Sequence, residues 1–254
     1  MRISGTWLLG FLRKSYCRLF GPEGGVFRAE ILGISASFYV RTQAAAQGLK
    51  SPRETKLLEK MVQMLHAGDC AYDIGAGFGL YTLFLAHVTG KQGTVAAFEP
   101  APHINRYLKD NIRLNGLTNV RVFQIALGDC NAVEKLELTG SPRLLQSELK
   151  QTTHELTETV EVVEGDMWVK NLLLPIPRVV KIDVEGYEYA VIRGLSHTLA
   201  QDTCEAVCCE IHPHLLPDGV TKEHILGLFD SLGFCRIETH NCAPRVHHVL
   251  CYKS

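Results

Sequence analysis

The sequence predicts an α/β protein built on a doubly wound, mostly parallel seven-stranded sheet that closes with an antiparallel C-terminal hairpin. Three observations carry that prediction. Short apolar runs alternate with segments of helical periodicity between Cys70 and Ile211. A glycine-rich turn, Gly75-Ala76-Gly77-Phe78-Gly79, separates the first clear strand from the helix after it. The last two runs, Phe234–Thr239 and His247–Tyr252, flank Pro244 as a hairpin would.

The elements follow in order. Within residues 28–50, Ile31–Val40 suits a strand or a hairpin. Ser51-Pro52 with Glu54 then caps a helix that carries Leu57, Leu58, Met61, Val62 and Leu65. Cys70–Ile74 is a short apolar strand, Leu80–His87 a helix, Thr94–Phe98 a strand, Pro102–Asn115 a helix and Val120–Leu127 a third strand. Residues 129–163 break the alternation: Lys135–Leu138 and Thr159–Val163 alternate polar and apolar around a polar stretch, which suits an inserted antiparallel pair or a loop lying near the site as a lid. Arg178–Val184 reads as a central strand, Tyr187–Leu199 as a helix, Glu205–Ile211 as a strand and Glu223–Leu232 as a helix.

A chain of 254 residues is long enough for one such domain, expected at 51–254 with its insertion at about 129–163, preceded by an extension over 1–50. In that extension Trp7, Leu8, Leu9, Phe11 and Leu12 precede Arg13, Lys14 and Arg18. The run is too short to span a bilayer and lacks the order of a signal peptide, so it suits packing on the core or contact with a membrane surface. A formal net charge of −1 provides no global basic field, which disfavours nucleic acid as a partner. Nine cysteines without paired CxxC spacing point to a reducing cytoplasm rather than to a zinc site or a disulfide framework. Oligomeric state leaves no signature in the sequence.

The glycine turn follows a strand and opens a helix, where backbone N–H groups and the positive helix end favour a ligand. The dinucleotide fingerprint needs glycine at position 80, and Leu80 stands there, which weakens a nicotinamide oxidoreductase. Glu99 ends the next strand, where a carboxylate can accept both ribose hydroxyl protons of an adenosine-type ligand. Ala126 and Leu127 end the third strand and are placed against an adenine ring; Asp129 either accepts a hydrogen bond from its amine or caps a turn.

The turn with its preceding Asp73 resembles the first motif of class I methyltransferases, and Val180-Lys181-Ile182-Asp183-Val184-Glu185-Gly186-Tyr187-Glu188 resembles the signature of the FkbM family of S-adenosylmethionine-dependent methyltransferases. The resemblance runs from about Glu54 to Phe234 and takes in Asp73 to Thr82, Phe98-Glu99-Pro100, Asn111 with Leu114, Asp166 and Glu210. The family usually has an asparagine within a D-x-G-A-N-x-G string, where this chain has Gly77-Phe78-Gly79. The resemblance implies a Rossmann-like fold, S-adenosylmethionine as cofactor with S-adenosylhomocysteine as product, and methylation of a hydroxyl on a small molecule, sugar or natural product. It assigns cofactor contacts to Asp73, Gly75, Ala76, Gly77, Gly79, Tyr81, Thr82, Glu99, Pro100, Ala126, Leu127, Asp129 and Asp183. A nitrogen or carboxylate acceptor, and a silent cofactor-binding protein, are the alternatives.

Methyl transfer to a neutral hydroxyl needs a group to take its proton. Asp183, Glu185, Glu210 and His212 are the catalytic candidates. Asp183 is placed on the acceptor side, with Glu185 read as pointing to the opposite face and orienting the loop; Glu210 and His212, two apart, are placed on one face beside Asp183. A magnesium-type ion on Asp183 and Glu210 is the alternative weighed, and no metal site is assigned. Lys181 is expected to pair with a crevice carboxylate, Tyr187 to line the cleft or pack, and His214, His240, His247 and His248 to lie on the surface or in the hairpin.

Overall fold

The computed structural model describes residues 25–40, 49, 51–137, 143–145, 157–243 and 246–253. Strands β1 (Gly25–Ile31) and β2 (Ile34–Val40) form an antiparallel hairpin. Helix α1 (Pro52–Met64) begins at Ser51, whose hydroxyl accepts the Glu54 N–H, with proline in its first turn where no donor is missed. Then come β3 (Cys70–Ile74), α2 (Leu80–Thr89), β4 (Thr94–Phe98), α3 (Pro102–Leu114), β5 (Val120–Phe123), β6 (Ala126–Gly128), β7 (Ala132–Glu137), β8 (Arg143–Leu145) and β9 (Thr157–Glu164). The chain continues through α4 (Gly165–Asn171), β10 (Val179–Ile182), α5 (Glu188–Gly194), α6 (Ser196–Ala200), β11 (Ala206–Ile211), α7 (Lys222–Ser231), β12 (Arg236–Ala243) and β13 (Val246–Tyr252).

The main sheet has seven strands in the order β12-β13-β11-β10-β3-β4-β5. β11, β10, β3, β4 and β5 are parallel, and β13 runs antiparallel to both its neighbours. Strand alternation divides the core in two. Ala71, Val95 and Ala97 face a cluster with Leu57 of α1, Phe84 of α2, Leu108 of α3 and Phe38 of the hairpin. Tyr72, Ile74, Ala96 and Phe98 face Val191 and Ile192 of α5 and Phe229 of α7. With both faces covered, β3 and β10 are buried at every position, the charged Asp73 and Lys181 included. The expected fold class is the one observed.

Two expectations about elements fail. The run 120–127 is not one strand: β5 ends at Phe123, and β6 joins a second sheet of order β6-β9-β7-β8, parallel to β9. The antiparallel pair expected in the insertion is present as β7 with β9. Helix 187–199 divides between α5 and α6, because Asp166 accepts the N–H groups of His197 and Thr198 and so caps a new helical start there. The membrane-surface expectation for the N-terminus lies outside the described residues, among which no helix is long and apolar enough to cross a membrane.

Gly194 lets α5 rest on β6: a Cβ there would stand 1.7 Å from the Gly128 carbonyl oxygen. Gly194→Ala is expected to lower stability by about 1–3 kcal/mol through overpacking. Gly227→Ala, in α7 where a Cβ meets nothing within 4 Å, should raise it by about 0.5–1 kcal/mol. Thermal unfolding of the two variants beside wild type measures both signs.

Candidate active site

At the carboxyl ends of β3 and β4 the chain turns back on itself with three glycines at positive φ: Gly75 (78°), Gly77 (56°) and Gly79 (98°). Gly75 is required by contact, since a Cβ would stand 1.8 Å from the Asp183 carbonyl oxygen. Gly79 caps α2 in the left-handed region, where a Cβ would meet Leu108 at 2.6 Å. Gly77 differs, because a Cβ there would meet nothing within 4 Å, so its backbone borders clear space. The Gly75 and Ala76 N–H groups donate to the Phe98 carbonyl, tying the loop to β4. Glu99 accepts the Gly77 N–H on one oxygen and the Ala101 N–H on the other, both at 2.9 Å. Burial pushes its carboxyl up to about 7, against the pull of those two donors. Pro100 follows, half-buried.

Asp73 is buried at the end of β3 and accepts the Thr82 hydroxyl; burial raises its pKa, opposed by Thr82 and Lys181. The Phe78 ring packs edge-on against Phe38 of β2 and stacks on Tyr107 of α3. Asn111 on α3 donates to the Phe78 carbonyl and accepts the Tyr39 N–H, which joins the N-terminal hairpin to the glycine loop.

The second half of the site lies where β10 and β11 end and β13 begins. Lys181, 1% exposed, holds its ammonium 3.6 Å from Asp183, 3.9 Å from Glu210 and 5.2 Å from the centre of the Tyr81 ring. Burial opposes its charge, but Asp183, Cys208, Glu210 and Glu54 together hold its pKa above the ordinary value. Tyr81 donates to Glu54 at 2.7 Å, and His248, fully buried, bridges Glu54 at 3.2 Å and Glu210 at 2.9 Å. Burial pushes Glu210 up, yet His248 and Lys181 outweigh it and keep its carboxyl well below the usual range.

Beyond Asp183 the chain turns through Glu185, a non-glycine residue at φ 51°, and Gly186 at φ 102°. This turn brings Asp183, Glu185 and His212 together, each offering an atom within 4.8 Å of the others. The reading that set the two carboxylates on opposite faces therefore fails: β10 has already ended, and the left-handed turn carries Glu185 back beside Asp183. Glu210 also approaches His212, at 3.7 Å, which joins all four catalytic candidates. The Asp183–Glu210 pair weighed for a metal is not the grouping observed, since Glu210 clusters with Glu54 and His248 instead.

Several residues assigned to cofactor contacts also have partners within the protein. Tyr81 points its hydroxyl into this charged cluster, and the Thr82 hydroxyl is engaged by Asp73. Leu127 turns into the core, and the Asp129 carboxylate lies 3.3 Å from Arg193. Tyr187 packs, its ring beside Gly128. Glu54 and His248 escaped sequence reasoning: Glu54 looks like a first-turn helix residue, and His248 gains its partner only through the register that sets it opposite Glu210.

Replacing Lys181 by Met removes the charge that compensates three carboxylates. Their folded pKa values then rise, Asp183 further above the value near 7 that burial already imposes and Glu210 and Glu54 from below the usual range, so the variant loses stability relative to wild type as pH rises past about 4. A deficit of about 3 kcal/mol is expected near neutrality, the low end for breaking a buried pair because Asp183 and Glu210 keep some exposure. Denaturant titrations at about pH 4.5 and 7.5 measure whether that deficit widens with pH.

Comparison with known proteins gives the family and the fold. The family described as "Methyltransferase FkbM domain" matches residues 73–235. The chain is 28% identical over 196 residues to the hexuronic acid methyltransferase AglP of Haloferax volcanii, covering 76% of this chain and 77% of that protein. It is 30% identical over 144 residues to Methyltransferase 1 of Beauveria bassiana, covering 48% and 57%. Among solved structures, the precorrin-6y C5,15-methyltransferase of Geobacter metallireducens superimposes with a TM-score of 0.50 at 13% identity, covering 79% of this chain and 89% of that one. An rRNA methylase of Streptococcus thermophilus does so with a TM-score of 0.50 at 12% identity, covering 78% and 95%. Both likenesses concern the fold. With more than half of its length inside the family match, the chain belongs to the FkbM family of S-adenosylmethionine-dependent methyltransferases.

Proposed function

We propose that this methyltransferase acts on a hydroxyl oxygen of a sugar or sugar-containing small molecule, with Asp183 receiving the hydroxyl proton. The observation that carries the reading is the position of Asp183, whose backbone oxygen packs on Gly75 of the glycine loop while its carboxylate reaches Lys181, Glu185 and His212. One residue thus touches both halves of the site. The residues present fit the cofactor: Gly77 borders clear space beside a buried carboxylate, Glu99, suited to ribose hydroxyls. When bound, S-adenosylmethionine supplies an electrophilic methyl group on a sulfonium.

The protein's own contribution is placement and proton handling. Burial pushes Asp183 up to about 7, with Lys181 and His212 pulling down and Glu210 and Glu185 pushing up, so it can accept a proton near neutral pH. The carboxylates of the crevice also suit the positive sulfonium by charge. The relative named for hexuronic acid supports a sugar acceptor. A hexuronic acid offers both hydroxyls and a carboxylate, and a carboxylate arrives already ionised, needing no base.

Titration calorimetry with S-adenosylhomocysteine should give saturable one-site binding that weakens at least about tenfold in Glu99→Ala. With sugar acceptors and methyl-labelled cofactor, Asp183→Asn should lower kcat by about 10²–10⁴ while product affinity stays unchanged. Wild-type kcat/KM should rise with pH through about 7, because the base must be unprotonated, and level off above it. Near-wild-type activity in Asp183→Asn would overturn the hydroxyl reading in favour of a carboxylate acceptor.

A further inference from the structure

Glu188 has no part in the chemistry described so far, yet it is fully buried at the start of α5. Its Oε1 accepts the Gly186 N–H at 2.9 Å and lies 2.7 Å from Nδ1 of His212. Gly186 is fixed in turn, since a Cβ would stand 2.6 Å from the backbone oxygen of Leu215. The other ring nitrogen, Nε2, faces Glu185 at 3.5 Å and Glu210 at 3.7 Å, within the group that includes Asp183. An ionised carboxylate only accepts, so an ionised Glu188 requires the proton on Nδ1. It also fixes the ring plane, and with it the direction of Nε2.

We propose that Glu188 is a positioning residue: its carboxylate holds His212 as an imidazolium whose Nε2–H faces Asp183, Glu185 and Glu210, and so keeps Asp183 able to release and take its proton. The proposal rests on the assignment of Asp183 as proton acceptor. The groups facing His212 are Glu188 from α5, Asp183 and Glu185 from the loop after β10, and Glu210 from β11, with Lys181 behind Asp183 and Glu210 and the His214 ring 6.4 Å away. Burial opposes the imidazolium, but the hydrogen bond and charge of Glu188, then Asp183 and Glu185, push its pKa up to about 9.

The chain of effects has a definite sign. A positive His212 lowers the proton affinity of Asp183. Removing the Glu188 charge lets His212 lose its proton at lower pH. Asp183 then keeps its own proton to higher pH, and the methylation profile moves to alkaline pH with kcat reduced and KM little changed. A role in packing alone would lower stability and leave the His212 titration where it is.

The test is nitrogen-15 NMR of the imidazole of His212, assigned with His212→Gln, in the 254-residue chain, wild type and Glu188→Gln. Expected are two protonated ring nitrogens in the wild type at about pH 7.5 and, in Glu188→Gln, a titration lower by about 1–3 pH units with S-adenosylhomocysteine affinity unchanged. A neutral His212 in the wild type, or the same titration in both proteins, overturns the proposal. Should Glu188→Gln fold poorly, Glu188→Asp, which keeps the charge, should retain the imidazolium, and its loss there would also overturn it. Failure of every hydroxyl acceptor would overturn the functional reading while leaving the titration result intact.

Discussion

Lys181 is a fully buried ammonium in the middle of the main sheet, and a buried charge costs several kcal/mol unless partners surround it. That requirement organises the ligand edge. Asp183 comes from the end of β10, Glu210 from β11, Glu54 from the first turn of α1, and the Tyr81 ring from the first turn of α2. His248 from β13 then ties Glu54 to Glu210. Five elements distant in sequence are thereby held together by the compensation of one cation. Since α1 precedes β3 and β13 follows every other strand of the sheet, the cluster exists only when the sheet is complete.

Close backbone approach governs the neighbouring half. The glycine loop leaves β3 so near β10 that position 75 has no room for a side chain, and this contact puts Asp183 against the loop expected to hold the cofactor. Charge compensation on one side of Asp183 and steric closeness on the other define its place. The turn after it stores strain in a left-handed Glu185, a cost of order 1–3 kcal/mol that persists where the surroundings over-determine the conformation. Here the contact of Gly186 with Leu215 and the Glu188–His212 bond supply that determination.

The N-terminal hairpin is fastened to the same region. Asn115 accepts the Ser37 N–H and donates to the Ser37 carbonyl, and Asn111 reaches both Tyr39 and Phe78. Phe78, in the glycine loop, adds aromatic contacts with Phe38 of the hairpin and Tyr107 of α3. A buried asparagine that satisfies two backbone partners does more than a surface one, because each partner would otherwise be left without a hydrogen bond in a dry place.

Much of the fold was legible because its signals are local. Period-two and period-3.6 patterning, the Ser51-Pro52 start and the Gly75–Gly79 turn follow from backbone geometry over a few residues, and they determined the sheet, its helices and the positions of Asp73, Glu99 and Asp183. The break after Phe123 was not legible, since β6 departs to pair with Val162–Glu164, far along the chain. Nor were Glu54 and His248, which resemble a helix-cap neighbour and a hairpin residue until α1 and β13 close on Glu210. The sequence by itself determined which elements form and which ends of them carry carboxylates. Tertiary structure decided which carboxylates meet, because the partners of a buried charge are chosen by packing across strands and not by spacing along the chain.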